Sequence, residues 1–331
     1  MIQSLCLETN PNCTTCLSAE IDLSSWRNLR SFSWTGFRAG ELYIISTAIE
    51  NNSAHLDELI LDPSSWLRIE PDLIDEILKQ DDGQSKHASD LRLYMSQFPE
   101  WVQTRDHDTE DQPDIEEAQD TNGENDIDHE YVRGLLSAYL AHNIFGVRDA
   151  PRLPRLRVLS LTEMPLSKAL ASVFTVETLT SLTLRTCLSW PVFLEHIMES
   201  DCQINLRTFE LQCGFQVSGN ELSQQNEILL RFLKSFTGLE ELYVSRDEGV
   251  DTADFFQQVG RQHSTLKRLV EHQRADYMDC SNTFSHRKES HDSRRLVMSS
   301  SCDFGIASET FAKLDLDFVG LTCTPHHLVS I

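Results

Sequence analysis

The residues best suited to chemistry lie near the two ends of the chain. Cys13-Thr14-Thr15-Cys16 is a C-x-x-C pair with Cys6 close by. A structural zinc ion takes four thiolate or imidazole ligands in a tetrahedron. His55, or Cys323 with His326 and His327, would have to complete that set, because the sequence holds no second C-x-x-C. A redox pair needs a strand-to-helix junction, whereas Asn10-Pro11-Asn12 before this pair makes a turn. The cysteines therefore read as loop thiols, and no metal is expected. His326 and His327 are adjacent and would point apart on a strand. The acidic run from 100 to 130 could attract calcium, but its carboxylates do not follow the spacing of a calcium-binding loop. No nucleophile elbow, phosphate-binding glycine loop or dinucleotide fingerprint occurs. These absences lead to an expectation of no catalytic residue, no cofactor and no enzymatic activity.

A different set of side chains is suited to recognition: Thr183, Arg185, Glu210, Gln212, Glu241, Tyr243, Ser245 and Arg268. Tyr and Arg dominate binding hot spots, so Tyr243 and Arg185 are the natural anchors. The eight occupy a fixed place in a repeated pattern, apolar–x–x–apolar–x–apolar. It occurs at Leu29/Phe32/Trp34, Leu56/Leu59/Leu61, Leu156/Leu159/Leu161, Leu179/Leu182/Leu184, Leu206/Phe209/Leu211 and Leu239/Leu242/Val244. A weaker copy begins at Leu266/Leu269, where Glu271 breaks the third apolar position. Between copies that are neighbours in this series, the offsets are 27, 23, 27, 33 and 27 residues, leaving aside the long gap between Leu56 and Leu156. A period of roughly 20–29 marks leucine-rich repeats.

In a strand, alternate side chains face opposite ways. Leu182 and Leu184 then enter a core, and Ser181, Thr183 and Arg185 face outward. The same phase turns Glu58, Ile60, Asp62, Val158, Ser160, Thr162, Thr208 and His272 outward. Between strands the apolar spacing becomes helical: Leu42/Ile45/Ile49, Phe193/Leu194/Ile197/Met198, Leu229/Leu230/Leu233/Phe236 and Phe255/Phe256/Val259. The expected fold is α/β: a leucine-rich-repeat solenoid of strand–helix units, with a parallel sheet on the concave face and helices on the convex face. At the ninth position of each unit, where Asn or Cys bonds turn backbone, only Cys187 fits.

The units are grouped unevenly. Residues 1–70 read as N-terminal repeats, within which Ser4–Glu8 resembles the tail of a repeat strand. Residues 71–150 form one overlong repeat with short helices at 71–79 and 131–145. Its acidic insert, 100–130, holds thirteen Asp or Glu against one basic residue, Arg105. Such composition cannot repay the entropy of ordering, so a disordered loop is expected there. Residues 151–272 hold the central repeats, 273–308 a polar loop, and 309–331 one more strand through Leu314, Leu316 and Phe318. Neither end carries a polar terminal unit of the kind repeat arrays need, which reads as a truncated array.

The net charge is −24. That field repels phosphate backbones and argues against nucleic acid as a partner. No apolar run approaches the roughly 18–20 residues that cross a bilayer, and the first residues make a poor export signal. Nine cysteines, an odd number, fit a reducing compartment, the cytoplasm or nucleus.

On these residues the chain resembles a group of fungal leucine-rich-repeat proteins, many of them F-box proteins. The segments that carry the resemblance are HLDELILDPSSW, YLAHNIFG, LPRLRVLSLTEMPL, LTSLTLRTCLSW, INLRTFELQCGF and LKSFTGLEELYVS, spread over residues 20–275. The resemblance implies a scaffold that holds a protein target on its strand face. It also implies the substrate-receptor role of a ubiquitin ligase, in which an F-box docks on the adaptor of a cullin. The F-box opening, a Leu-Pro followed by amphipathic helices, has no counterpart before Trp26. A stand-alone leucine-rich-repeat adaptor is the alternative.

Loop-closure entropy grows slowly with length. Deleting residues 100–130 should therefore shift the melting temperature by no more than about 2 °C. A fall of many degrees, measured by calorimetry, would show a packed element in place of a linker.

Overall fold

A computed structural model describes residues 2–10, 21–63, 153–200, 202–213, 219–247, 252–274 and 311–321, with Ile74, Leu136, Ser137, Leu140, Ile144 and Phe145 as isolated positions. Cys13, Cys16, the acidic run at 100–130, most of the 273–308 segment, and His326 and His327 lie outside the described residues.

Nine strands form one sheet, and all neighbours are parallel and in chain order. They are β1 (Ser4–Glu8), β2 (Ser31–Thr35), β3 (Glu58–Asp62), β4 (Val158–Thr162), β5 (Ser181–Arg185), β6 (Thr208–Gln212), β7 (Glu241–Asp247), β8 (Arg268–Arg274) and β9 (Phe318–Leu321). Parallel neighbours need crossovers. Here these include α1 (Leu42–Asn52), the single turn α2 (Lys168–Ala171), α3 (Trp190–Glu199), α4 (Gly219–Lys234) and α5 (Thr252–Gln262). Beta-branched and apolar residues at alternate positions favour the strands. Ser167 caps α2 by accepting the Leu170 amide at 3.1 Å, and Pro191 in the first turn of α3 costs no helical hydrogen bond.

The alternation holds strand by strand. Leu159, Leu161, Leu182, Leu184, Phe209 and Leu211 are fully buried, while the residues between them are half-buried on the opposite face. The helical apolar stripes close over the inner side: Ile45, Ile49, Phe193, Leu194, Leu229, Leu233, Phe255 and Val259 are all buried. Aromatic rings link successive units along this layer. Phe145, Phe174 and Phe193 form an edge-on series at 5.7 and 6.3 Å; Phe209 and Phe232 pack tilted at 5.2 Å, and Phe232 meets Phe236 edge-on at 5.4 Å. Each such contact adds about 0.5–1.5 kcal/mol beyond area burial. Leu136, Leu140 and Ile144, four residues apart, are likewise buried, and the Ile144 amide donates to the Leu140 carbonyl.

Each strand after β1 starts with the same backbone device. The carbonyl of one residue accepts two consecutive amides from the next unit: Arg157 O takes Thr180 N at 2.8 Å and Ser181 N at 3.0 Å. Gln3, Arg30, Asp57, Thr180, Arg207, Glu240 and Lys267 do the same for their successors. The junction from Asp57 to Arg157 and Val158, at 2.8 and 3.0 Å, is as tight as the others despite the long insertion between β3 and β4. The strands leave through a second column. Gly36, Glu163 and Thr186, each seven residues beyond the first apolar position of its unit, all have φ near +50° to +79°. Glycine adopts that conformation freely, and the other two pay for their Cβ. Cys187 next to Thr186 is buried, with its thiol 3.2 Å from the Leu161 carbonyl, and burial pushes that thiol up to about 12.

The weaker copy keeps its place in the sheet: Glu271, at its third position, faces inward opposite Val244, is buried, and β8 continues to Arg274. The ladder of backbone bonds sets register there whatever the side chain. One sequence expectation needs correction: the last strand is out of the expected phase. In register Val319 and Leu321 pair with the inward residues Leu269 and Glu271, whereas Phe318 pairs with Arg268 of the outer face; at this edge both Phe318 and Val319 are exposed, by 50% and 40%. The Leu314/Leu316/Phe318 spacing placed Phe318 inward because it began the unit two residues early. Among the described residues no helix is long and apolar enough to cross a membrane.

Two experiments probe this core. Leu182→Asp should cost more than about 4 kcal/mol, because the charge is buried among leucines with no partner. Thr183→Asp, one residue on and facing out, should cost less than about 1 kcal/mol. Equal losses in denaturant titration would mean that the strand phase is wrong.

The second concerns His263, which is fully buried and donates through Nε2 to the Leu233 carbonyl at 3.0 Å. Burial pushes its pKa down from 6.5 to about 4. Between those values the unfolded chain binds a proton that the folded chain refuses. The contribution is therefore complete above pH 6.5 and is lost as pH falls toward about 4, a loss on the order of 3 kcal/mol. His263→Gln keeps a donor for Leu233 and should flatten the fall in melting temperature between about pH 7 and about pH 5. Parallel pH profiles for the two proteins would contradict it.

Candidate recognition face

The outward side chains of the sheet stand in three lines across the strands. Register, and not sequence proximity, brings them together. The middle line runs Cys6, Ser33, Ile60, Ser160, Thr183, Glu210, Tyr243 and Val270. Neighbours along a line are separated by one strand spacing, about 4.8 Å.

All eight residues expected to carry recognition fall on β5 to β8 and share this face. Thr183, Glu210 and Tyr243 are consecutive in the middle line. Arg185, Gln212 and Ser245 are consecutive in one flanking line, and Glu241 and Arg268 are paired in the other. The hydroxyl-rich first half, Ser31, Ser33 and Thr35 on β2, was not among those eight. The phase of Leu29/Phe32/Trp34 already implied it.

Electrostatics knit the second half together. Arg185 Nε and Nη2 donate to the two carboxylate oxygens of Glu210 at 2.7 and 2.9 Å. That side-on fork uses two of five guanidinium donors and leaves three for a partner. The Glu210 hydrogen bond raises the Arg185 pKa above its ordinary value against the opposing effect of burial, with smaller help from the charge of Glu210 and Asp62. Gln212 Nε2 adds a 2.6 Å bond to Glu210 Oε1. Arg185 is 46% exposed and its partner 17%, so the pair adds little stability, about 0–1 kcal/mol. Its effect is positional: it holds a cationic plane beside Thr183 and Tyr243.

Toward the C-terminal end Arg268 sits 3.7 Å from Glu241 and over the Phe318 ring at 5.9 Å. Ser245 differs from the other seven. It is buried, and its hydroxyl lies 3.3 Å from His272 Nδ1, so it supports the face from beneath and presents little surface of its own.

The arrangement offers donors, acceptors, an aromatic ring and a preset guanidinium on a broad surface. It includes a hydroxyl–imidazole contact, that of Ser245 with His272, and among the described residues no three His, Cys, Asp or Glu side chains group to hold a metal ion. Comparisons with protein-family models, with curated proteins and with solved structures found no match.

Proposed function

We propose that this chain is a leucine-rich-repeat solenoid that acts as a protein–protein interaction scaffold and not as an enzyme, with its outward strand face as the concave binding surface. The observation that carries the reading is the unbroken register: eight successive junctions align outward side chains into lines that a partner can read across several units. The face mixes charge, hydroxyl and aromatic groups in the proportion of a moderately polar protein interface. Solenoids use such surfaces for binding.

The narrower reading follows the sequence resemblance. The repeats would serve as the substrate-recognition region of an F-box-type ubiquitin-ligase receptor, with a cullin-ligase adaptor as a second partner wherever an F-box accompanies them. Affinity purification from the native cell separates this from a stand-alone adaptor. Recovery of the cullin adaptor with the chain supports the receptor role, and recovery of targets without it favours the adaptor role.

With a captured partner, Tyr243→Ala combined with Arg185→Ala should weaken binding by more than about 2 kcal/mol while circular dichroism stays unchanged. Glu195→Ala with Glu227→Ala alters the helical side, where Glu195 meets Arg231 at 3.5 Å, and should leave affinity nearly intact. A larger loss from that second pair would move the interface to the helices.

A further inference from the structure

The residues whose carbonyls start each strand also carry a column of charged side chains along the leading edge of the sheet. Most cations in it are matched by an acid one unit further on. Arg30 meets Asp57 at 3.5 Å, Arg207 meets Glu240 at 3.2 Å, and Lys267 meets Asp315. The exception is Arg157, whose successor in the column is Thr180. Neither Arg157 nor the nearby Arg155 has a carboxylate within ion-pairing distance among the described residues, and both are exposed.

These two guanidiniums stand at a shallow, open part of the surface. Together with Arg30, Asp57, Pro154 and Thr178 they line an open depression of about 400 Å³. Three cations and one acid thus share a hollow in a chain whose net charge is −24. At physiological ionic strength the Debye length is about 8 Å, so this local excess is felt at the hollow despite the acidic whole.

We propose that this depression binds a phosphate monoester carried on a serine or threonine side chain of a protein partner. A guanidinium presents a planar fork that matches phosphate oxygens two at a time. Among the described residues Arg155 and Arg157 have all their forks free, and Arg30 is held only by a long contact to Asp57. A dianion with three strongly accepting oxygens uses such a cluster fully, whereas a single carboxylate needs one fork. The lining argues against other carriers of the same group. It contains no aromatic side chain on which a nucleotide base could stack and no exposed large apolar residue to enter a lipid layer. The site is distinct from the strand face and does not depend on the function proposed for it.

The test uses the full chain at physiological ionic strength and two labelled pools of short peptides, randomised around a central phosphoserine or around a central serine. The phosphorylated pool should bind about tenfold tighter or more, and inorganic phosphate should compete with it. Arg155→Gln combined with Arg157→Gln should remove that difference without lowering the melting temperature. Arg207→Gln, at a paired position of the same column, should preserve it. Should the double variant fail to fold, Arg155→Lys with Arg157→Lys keeps the charge, loses the fork and should still weaken the phosphorylated pool several-fold. Equal binding of the two pools, equal loss in Arg207→Gln, no loss in the folded Lys variants, or tighter binding of ATP or phosphatidylserine vesicles would overturn the proposal.

Discussion

One carbonyl that accepts two amides, repeated at the start of every strand after β1, is the interaction on which this structure depends. Arg157 O binding Thr180 N and Ser181 N fixes both the distance and the phase between consecutive units. A slip of one residue would turn every leucine of a strand outward and every polar residue inward. The cost would be a whole row of buried side chains such as Leu182 and Leu184, so the junction and the core enforce the same register. Parallel sheets are otherwise slow to assemble because their contacts are not local. Here each contact joins a unit to its immediate neighbour.

Other features are subordinate to that ladder. Side chains tie the units at the same edge: Thr178 Oγ1 donates to Leu156 O and Thr265 Oγ1 to Leu239 O, both at 2.8 Å and both from the residue before a unit's first leucine. Buried Asn52 ties the end of α1 back to the start of its own unit by donating to Trp26 O and accepting from Leu29 N. The left-handed turn at Gly36, Glu163 and Thr186 redirects the chain at the far end of β2, β4 and β5. With both ends of a strand pinned, outward side chains are held in lines, and the Arg185–Glu210 fork acquires a defined place beside Tyr243.

The strands and their inward faces were legible in the sequence because a period-two pattern inside a recurring unit is a strong signal. Phe32, Trp34, Leu159 and Leu211 are where that pattern puts them. The helical stripes were legible for the same reason at a different period. What failed did so where side chains stopped reporting the backbone. Phe318 looked inward, yet the backbone ladder pairs it with Arg268 on the outer face. The strand face was readable as a set of outward positions, but the fork at Glu210 and the burial of Ser245 depend on cross-strand neighbours 25 to 27 residues away. The arginine hollow escaped notice because Arg30 and Arg157 are distant in sequence and meet only through the junction of β3 with β4.

That junction is the point at which the continuous sheet is most exposed to disproof, since about ninety residues separate the two strands. Ile60 and Ser160 face each other across it, at a spacing of about 4.8 Å that permits a disulfide. In Ile60→Cys/Ser160→Cys, mild oxidation should join the peptides bearing positions 60 and 160, as read by mass spectrometry. In Ile60→Cys/Thr183→Cys the positions are two strands apart, about 10 Å, beyond disulfide reach, and no such link should form. Efficient linkage in the first protein and none in the second is the result this account predicts. No linkage in the first, or equal linkage in both, would contradict a single register running from β1 to β9.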